Sequence, residues 1–493
     1  MSDKDDLRAA EEFRSAEQSV EAHSAIFKKE LGLTDLVLTQ ILFIVGLSWV
    51  GTAAKLGQSH VIFWLLAIIF FYVPSAVVVI YLNRLMPLEG GLYQWAKLGF
   101  SDFIGFLVAW NLWVYVIVLT SEIGLQVATY LSYVLGPSAA WLAGSKWFIS
   151  LASCLVIGTL MIVSTAGLGV GKWVHNTGGV MMLVIFSALL ILPILNVWRG
   201  TLTEYHPLTM AMPTVSLLSL NLLGKMGFGA LGGFEYVGIL AGECRDPVRA
   251  ITRSVIIAAP IIAVMFILGT SSVLAFIDPN HIDLIGPIPQ TLSVASRPFG
   301  IAASIVPIAI LMVMCMRLAQ ASVNFTANTR LPMVAGWDHL LPAWFTKLHA
   351  KRKTPINSIL FVGAMTLGMG LAGIVGVGEQ EAYQLLQNAA GIFYALTYVV
   401  MFALPIIGLR GVEPRPPVWL KIASLSGFLM TLLYVTLSVF PIIQVESQAT
   451  FTAKISGVII GANIIGAVIF ILAEKRRKSR SASAEKAVTT PAD

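Results

Sequence analysis

Charge is scarce in this chain: 12% of its 493 residues are Asp, Glu, Lys or Arg, against 57% hydrophobic. A soluble domain carries roughly 25% charged residues. The shortfall runs along the whole length and mean hydropathy reaches +0.82, so lipid is the expected solvent. Cysteine is nearly missing as well. Cys154, Cys244 and Cys315 lie far apart, with no disulfide framework or zinc spacing among them. The charged, polar amino-terminal stretch lacks the short apolar core of a cleavable signal peptide. The short alternating segments of a membrane barrel are absent too. No HExxH or Walker A pattern occurs, and His23, His60, His175, His206, His281, His339 and His349 map to loops, span ends or the amino-terminal tail. No cofactor, metal or catalytic group is expected. The net charge of +6 reads as loop charge, and no nucleic-acid partner is expected.

What is present is a series of apolar runs of spanning length. They fall at 34–56, 61–84, 102–134, 147–167, 173–197, 216–242, 252–277, 299–328, 356–376, 383–409, 418–441 and 454–473, and are called spans 1 to 12. The expected class is therefore all-α, a polytopic membrane protein of about twelve helices, with span 3 long enough to tilt. Lysine and arginine concentrate on one side: Lys28, Lys29, Arg84, Lys97, Lys172, Arg245, Arg249, Arg253, Arg330, Lys347, Arg352, Arg410 and the run Lys475 to Lys478. The opposite loops hold little beyond Lys146, Arg199, Arg297 and Lys454. The positive-inside rule then puts both termini in the cytoplasm, with the protein in the inner membrane. Residues 1–33 form a cytoplasmic segment, with an amphipathic helix conceivable over 5–30, and 474–493 read as a disordered basic tail.

Two spans are unlike the rest. Span 1 carries GLSWVGTAAKLG (Gly46 to Gly57), and span 6 carries GKMGFGALGGFEYVGILAGE (Gly224 to Glu243). Each glycine disfavours a helix interior by about 1 kcal/mol relative to alanine. In a membrane such clusters serve close helix packing, or they mark broken backbone that lines a cavity. The cluster in span 6 adds an ionisable Glu235 and favours the break. Unwinding frees amides that suit a carboxylate and carbonyls that suit an ammonium group. Two broken helices side by side therefore suit the backbone of an amino acid.

Three stretches resemble the amino acid–polyamine–organocation superfamily: PLEGGLYQW (Pro87 to Trp95), GFEYVGILAGECRDPVRAI (Gly233 to Ile251) and TRLPMVAGWDHLLPAWFTKL (Thr329 to Leu348). The resemblance implies inverted five-helix repeats, 34–197 and 216–409, with spans 11 and 12 (418–473) added. It also implies alternating access around a central site. The likeness is divided between the glutamate/γ-aminobutyrate antiporter branch, through Tyr72 to Pro74, and the arginine/agmatine exchanger branch, through Glu235. Carried over residue by residue, Ser48, Trp49, Val50, Gly51 and Thr52 match the unwound loop that holds the substrate carboxylate. Gly229, Ala230, Leu231, Gly232, Gly233 and Phe234 match the break in span 6. Thr120, Ile123 and Asn324 fall where relatives touch the substrate side chain. Phe228 and Phe234 flank the break as gate candidates or ordinary packing.

Ionisable residues inside a span are functional candidates because each costs several kcal/mol. They are Glu122, Glu235 and Arg317, and they form either coupling and gating groups or a buried structural ion pair. Arg317, Gln320, Ala321 and Asn324 share one helical face. Lys225 sits near a span end, where lysine can snorkel to water. The loop Glu243–Arg253, with Asp246 and Arg249, is a candidate for ion pairs that lock an inner gate, or a solvated charged loop. The leading expectation is a permease or antiporter for amino acids or related amines, with protons an open choice of coupling ion. The competing classes are a membrane-embedded enzyme, a channel and a transporter-like nutrient sensor.

Overall fold

In hydrocarbon every backbone amide and carbonyl must be satisfied within the protein, which leaves helices as the economical solution for apolar runs of this length. A computed structural model describes residues 18, 29–88, 90–300, 302–333, 340–373, 379–409, 415–445 and 447–489. Among them the fold is all-α, and the only extended pairing is an isolated bridge between Leu31 and Cys244. The conceivable amphipathic helix over 5–30 falls almost wholly outside the described residues.

Nine described helices are long and apolar enough to cross a membrane: Gly57–Leu85, Asp102–Leu135, Lys146–Ala166, Gly171–Trp198, Pro247–Leu274, Val306–Met333, Glu381–Ile407, Val418–Leu437 and Gln448–Lys478. Span 1 adds a tenth crossing as a bent pair, Leu33–Ile44 and Leu47–Ala54, at 44° to each other. The other two expected spans take different forms. Span 9 is the shorter helix Ile356–Gly373. Span 6 is Leu217–Gly224, a widened π-helical turn Lys225–Ala230 and the short helix Tyr236–Ile239.

Burial orders the spans from centre to rim. In span 10 the most apolar window is 61% buried, whereas in span 12 it is 17% buried. Span 10 packs on spans 3 and 11, and span 5 packs on spans 8 and 1. The outward faces carry large exposed apolar side chains such as Trp147, Leu155, Ile162 and Ile464, as a lipid-facing surface requires.

The basic tail departs from expectation. Helix Gln448–Thr489 runs on through the charged segment that reads as disordered from its composition. The run from Glu474 to Thr489 holds no Gly or Pro and many Ala, Lys, Arg and Glu. Extending a formed helix also avoids the costly nucleation step.

The first motif has a clear structural use. Gly91 adopts φ +44°, and a Cβ there would lie 2.7 Å from the carbonyl carbon of Gly238. Its lack of a side chain lets the loop tuck beneath the second half of span 6, where the Gly90 amide donates to Ile239 O at 3.3 Å. Trp95 Nε1 closes the loop by donating to Met86 O at 2.8 Å.

Candidate functional site

Both glycine clusters interrupt their helices, and the interruptions meet. In span 1 the helix stops at Ile44 and restarts at Leu47, with Val45 and Gly46 extended between them. This corrects the sequence expectation for Ser48, Trp49, Val50, Gly51 and Thr52. They form the first turns of the second half-helix rather than the unwound stretch. The cause lies in span 8. Gln320 Nε2 faces the carbonyls of Leu42, Phe43 and Val45 at 2.7, 3.1 and 3.4 Å, so it satisfies the acceptors that the break releases. No side chain caps the new helix start at Gly46; the Trp49 amide turns back to Gly46 O at 3.2 Å, and the earlier amides of Leu47 and Ser48 face the break.

In span 6 the break covers Gly232 to Glu235. Gly233 has φ +139°, and a Cβ would lie 2.7 Å from atoms of Ile44 and Phe43, so this glycine lets the two breaks touch. Its amide donates to the Tyr398 hydroxyl at 2.6 Å. That hydroxyl in turn donates to Glu235 Oε2, and Tyr394 donates to Glu235 Oε1. Two tyrosines of span 10 therefore hold Glu235, and one of them, Tyr398, ties it to the backbone of the break.

Between the breaks lies a cavity of about 80 Å³. At about 10–15 Å³ of such space per water, this is room for several waters or a compact ligand. Its wall includes Ser48, Trp49, Thr120, Ile123, Phe228, Gly229, Gly232, Arg317 and Asn324 from the expected set. The other candidates sit elsewhere. Val50 and Gly51 pack toward Gly269 and Pro287. Thr52 returns its hydroxyl to Ser48 O at 3.2 Å. Ala230 and Leu231 are buried in the core. Gly233 and Glu235 lie behind the wall, and Phe234 stacks on Tyr72 with ring centroids 4.7 Å apart. Phe228 is both lining and packing, since it contacts Phe71, Tyr394, Tyr398 and Tyr434.

The buried charges are knitted by amides. Arg317 donates Nε and Nη2 to Gln126 Oε1 at 3.0 and 2.8 Å, and Nη1 to Gln320 Oε1. Glu122 Oε1 accepts from Gln126 at 2.6 Å and from Gln387 at 2.7 Å, and lies 3.9 Å from Arg317 Nη2. Thr120 Oγ1, Asn324 Oδ1 and Glu122 Oε2 are buried without a hydrogen-bond partner. The first two belong to cavity-lining residues, and such orphaned acceptors suit the N–H groups of an ammonium ligand. Arg317 and the open helix start at Leu47 suit a carboxylate.

Gln126, Gln387, Tyr115, Tyr394 and Tyr398 were not among the sequence candidates. One signal was available: Gln384, Gln387 and Asn388 recur at three-four spacing in span 10, a polar face inside a span. Lys225 also differs from expectation. It does not snorkel, because the widened turn carries it inward. It is 2% exposed and donates to Asn388 Oδ1 at 2.6 Å. Likewise His175 is a buried residue of span 5, 3.5 Å from Ser322 Oγ, and not a loop histidine.

Below the cavity the path is sealed in layers. Phe43 stacks on Tyr236 with centroids 4.1 Å apart, and the Tyr236 hydroxyl donates to Val323 O. The next layer is a buried ion pair, Arg330 to Glu243, with Nη2–Oε1 at 2.5 Å. Glu243 is the residue of the loop Glu243–Arg253 that enters this pair, whereas Asp246 and Arg249 are 3.8 Å apart and exposed, and Asp246 caps the helix beginning at Pro247. Lys29 Nζ and the amides of Glu30 and Leu31 fasten the segment before span 1 to Gly242 and Glu243 carbonyls. Among the described residues, no group of three or more His, Cys, Asp or Glu side chains is placed to hold a metal.

The family model described as amino acid permease matches residues 31–470. A probable agmatine/putrescine antiporter of Lactococcus lactis is 22% identical, over 90% of this chain and 94% of its own. The large neutral amino acids transporter small subunit 2 of Mus musculus is 23% identical, over 86% of this chain and 78% of its own. An uncharacterized transporter of Legionella pneumophila is 24% identical, over 79% of this chain and 83% of its own. The match takes in both broken spans, the cavity between them and the sealed layers beneath, and the chain belongs to the amino acid permease family, as a multi-pass membrane transporter.

Proposed function

We propose that the cavity takes an amino acid or a related amine and that the protein carries it by alternating access. The ligand's ammonium group meets Asn324 and Thr120, and its carboxylate meets the helix start at Leu47 and Arg317. The observation that supports this reading is the convergence of two helix breaks on one buried cavity with orphaned acceptors in its wall. In this reading residues 34–197 and 216–409 act as inverted repeats, and 418–473 brace the outside. Both termini face the cytoplasm across the inner membrane, consistent with the lysine and arginine bias. The protein works as a carrier with no catalytic step and no nucleic-acid partner. Protons couple through Glu235, the buried carboxylate joined to the span 6 break.

The test is exchange in proteoliposomes loaded with a panel of amino acids and diamines, with and without a pH gradient. Saturable uptake of at least one labelled member is expected. Absence of flux and of binding for every member would refute the reading.

A further inference from the structure

Span 6 buries a cation that the central cavity does not use. Lys225 is held in the π-helical turn, on the side of the cavity away from Glu243 and Arg330. It is 2% exposed, yet no carboxylate is paired with it among the described residues. Its contacts are Asn388 Oδ1 at 2.6 Å and the face of Tyr434 at 5.8 Å. Among the described residues, the buried carboxylates Glu122 and Glu235 are engaged elsewhere: Glu122 with Arg317, Gln126 and Gln387, and Glu235 with Tyr394 and Tyr398. Asp283, on the neighbouring loop, accepts from Tyr133 and from the Ile285 amide.

A lysine ammonium offers donors only, so it fixes the Asn388 amide with Oδ1 toward Lys225. That leaves Nδ2 pointing away. Nδ2 is buried without a partner, in a side chain that is 4% exposed. Lys225 and Asn388 both line a second, smaller cavity of about 30 Å³, shared with Thr52 and Gln384. Burying a cation without a counter-charge is costly, and an orphaned donor adds to the cost. A small anion in that cavity, beside the Lys225–Asn388 contact and within reach of both Nζ and Nδ2, would relieve both.

We propose that Lys225 and Asn388 form a binding site for one small monovalent anion, a halide or a carboxylate group, at the threshold of the central cavity. Trp49, Ser48 and Gln387 belong to the walls of both cavities, so the occupant sits next to the substrate space. The cavity volume admits a chloride ion or a carboxylate head. The proposal concerns binding alone and stands or falls separately from transport.

The experiment titrates the purified full chain in detergent, following intrinsic tryptophan fluorescence and melting temperature. One arm uses chloride in carboxylate-free buffer. The other uses acetate in chloride-free buffer. Ionic strength is held constant with sodium sulfate. Wild type is expected to saturate with chloride, with acetate or with both, and the arms tell which source fits. Lys225→Gln is expected to weaken the response at least about tenfold, the scale of a lost charged hydrogen bond. Asn388→Asp supplies its own carboxylate to Lys225. It is expected to abolish the response while melting no lower than wild type, which covers the case in which Lys225→Gln fails to fold. No saturable response to either anion in wild type, or a wild-type response in Asn388→Asp, would overturn the proposal.

Discussion

Glu235→Ala is expected to lower substrate exchange by about tenfold or more while the protein still reaches the membrane. Glu235 accepts from Tyr394 and Tyr398, and Tyr398 also receives the amide of Gly233 in the break. Truncation leaves two buried hydroxyls without an acceptor. Each unsatisfied group costs about 1–3 kcal/mol, and one such loss in the binding-competent arrangement already approaches a tenfold change. Glu235→Gln keeps one acceptor oxygen but cannot shed or take up a proton. It is therefore expected to retain exchange between identical substrates on the two sides while losing any stimulation by a pH gradient. Counterflow and gradient-driven uptake, measured on the same vesicles, check both expectations.

The second large effect belongs to the seal. Arg330 meets Glu243 at 2.5–2.7 Å, with both side chains nearly inaccessible. Removing one member of a buried pair strands the other charge, at about 3–5 kcal/mol. Glu243→Ala is accordingly expected to lower the melting temperature of the purified protein sharply. The double variant Glu243→Gln with Arg330→Met removes both charges together. It is expected to recover most of the loss, because an apolar or neutral pair of similar volume is often tolerated. The pair joins the loop after span 6 to span 8, and Lys29 holds the segment before span 1 against the same loop. Its loss should therefore also expose the cavity from this side, which labelling of a cysteine introduced at Phe43 would register as faster modification.

Much of this was readable from residues. The shortage of charge fixed lipid as the solvent, and the glycine clusters of spans 1 and 6 do interrupt their helices. Arg317, Gln320 and Asn324 do share a face that lines the cavity. What was not readable depends on partners distant in the chain. The break in span 1 falls at Val45–Gly46 because Gln320, 275 or more residues away, accepts the task of satisfying its carbonyls. The family resemblance points to Ser48 to Thr52 instead, because it aligns a loop and carries no information on which carbonyls Gln320 reaches. Lys225 reads as a span-end lysine until the widened turn and Asn388 are seen to bury it. The loop Glu243–Arg253 reads as a place for ion pairs, but the partner does not: Glu243 meets Arg330, a residue of another motif 87 positions along the chain.

In the proposed reading, substrate sits between the two helix breaks. Gly229 tests it most directly, because Trp49 lies across it: a Cβ there would be 2.6 Å from Trp49 Cη2. Equilibrium binding of the best labelled substrate should be compared in purified wild type and in Gly229→Val, with melting temperature as the check on folding. Loss of binding by the variant, with the fold retained, is the predicted result; a folded Gly229→Val that binds as tightly as wild type would contradict the account.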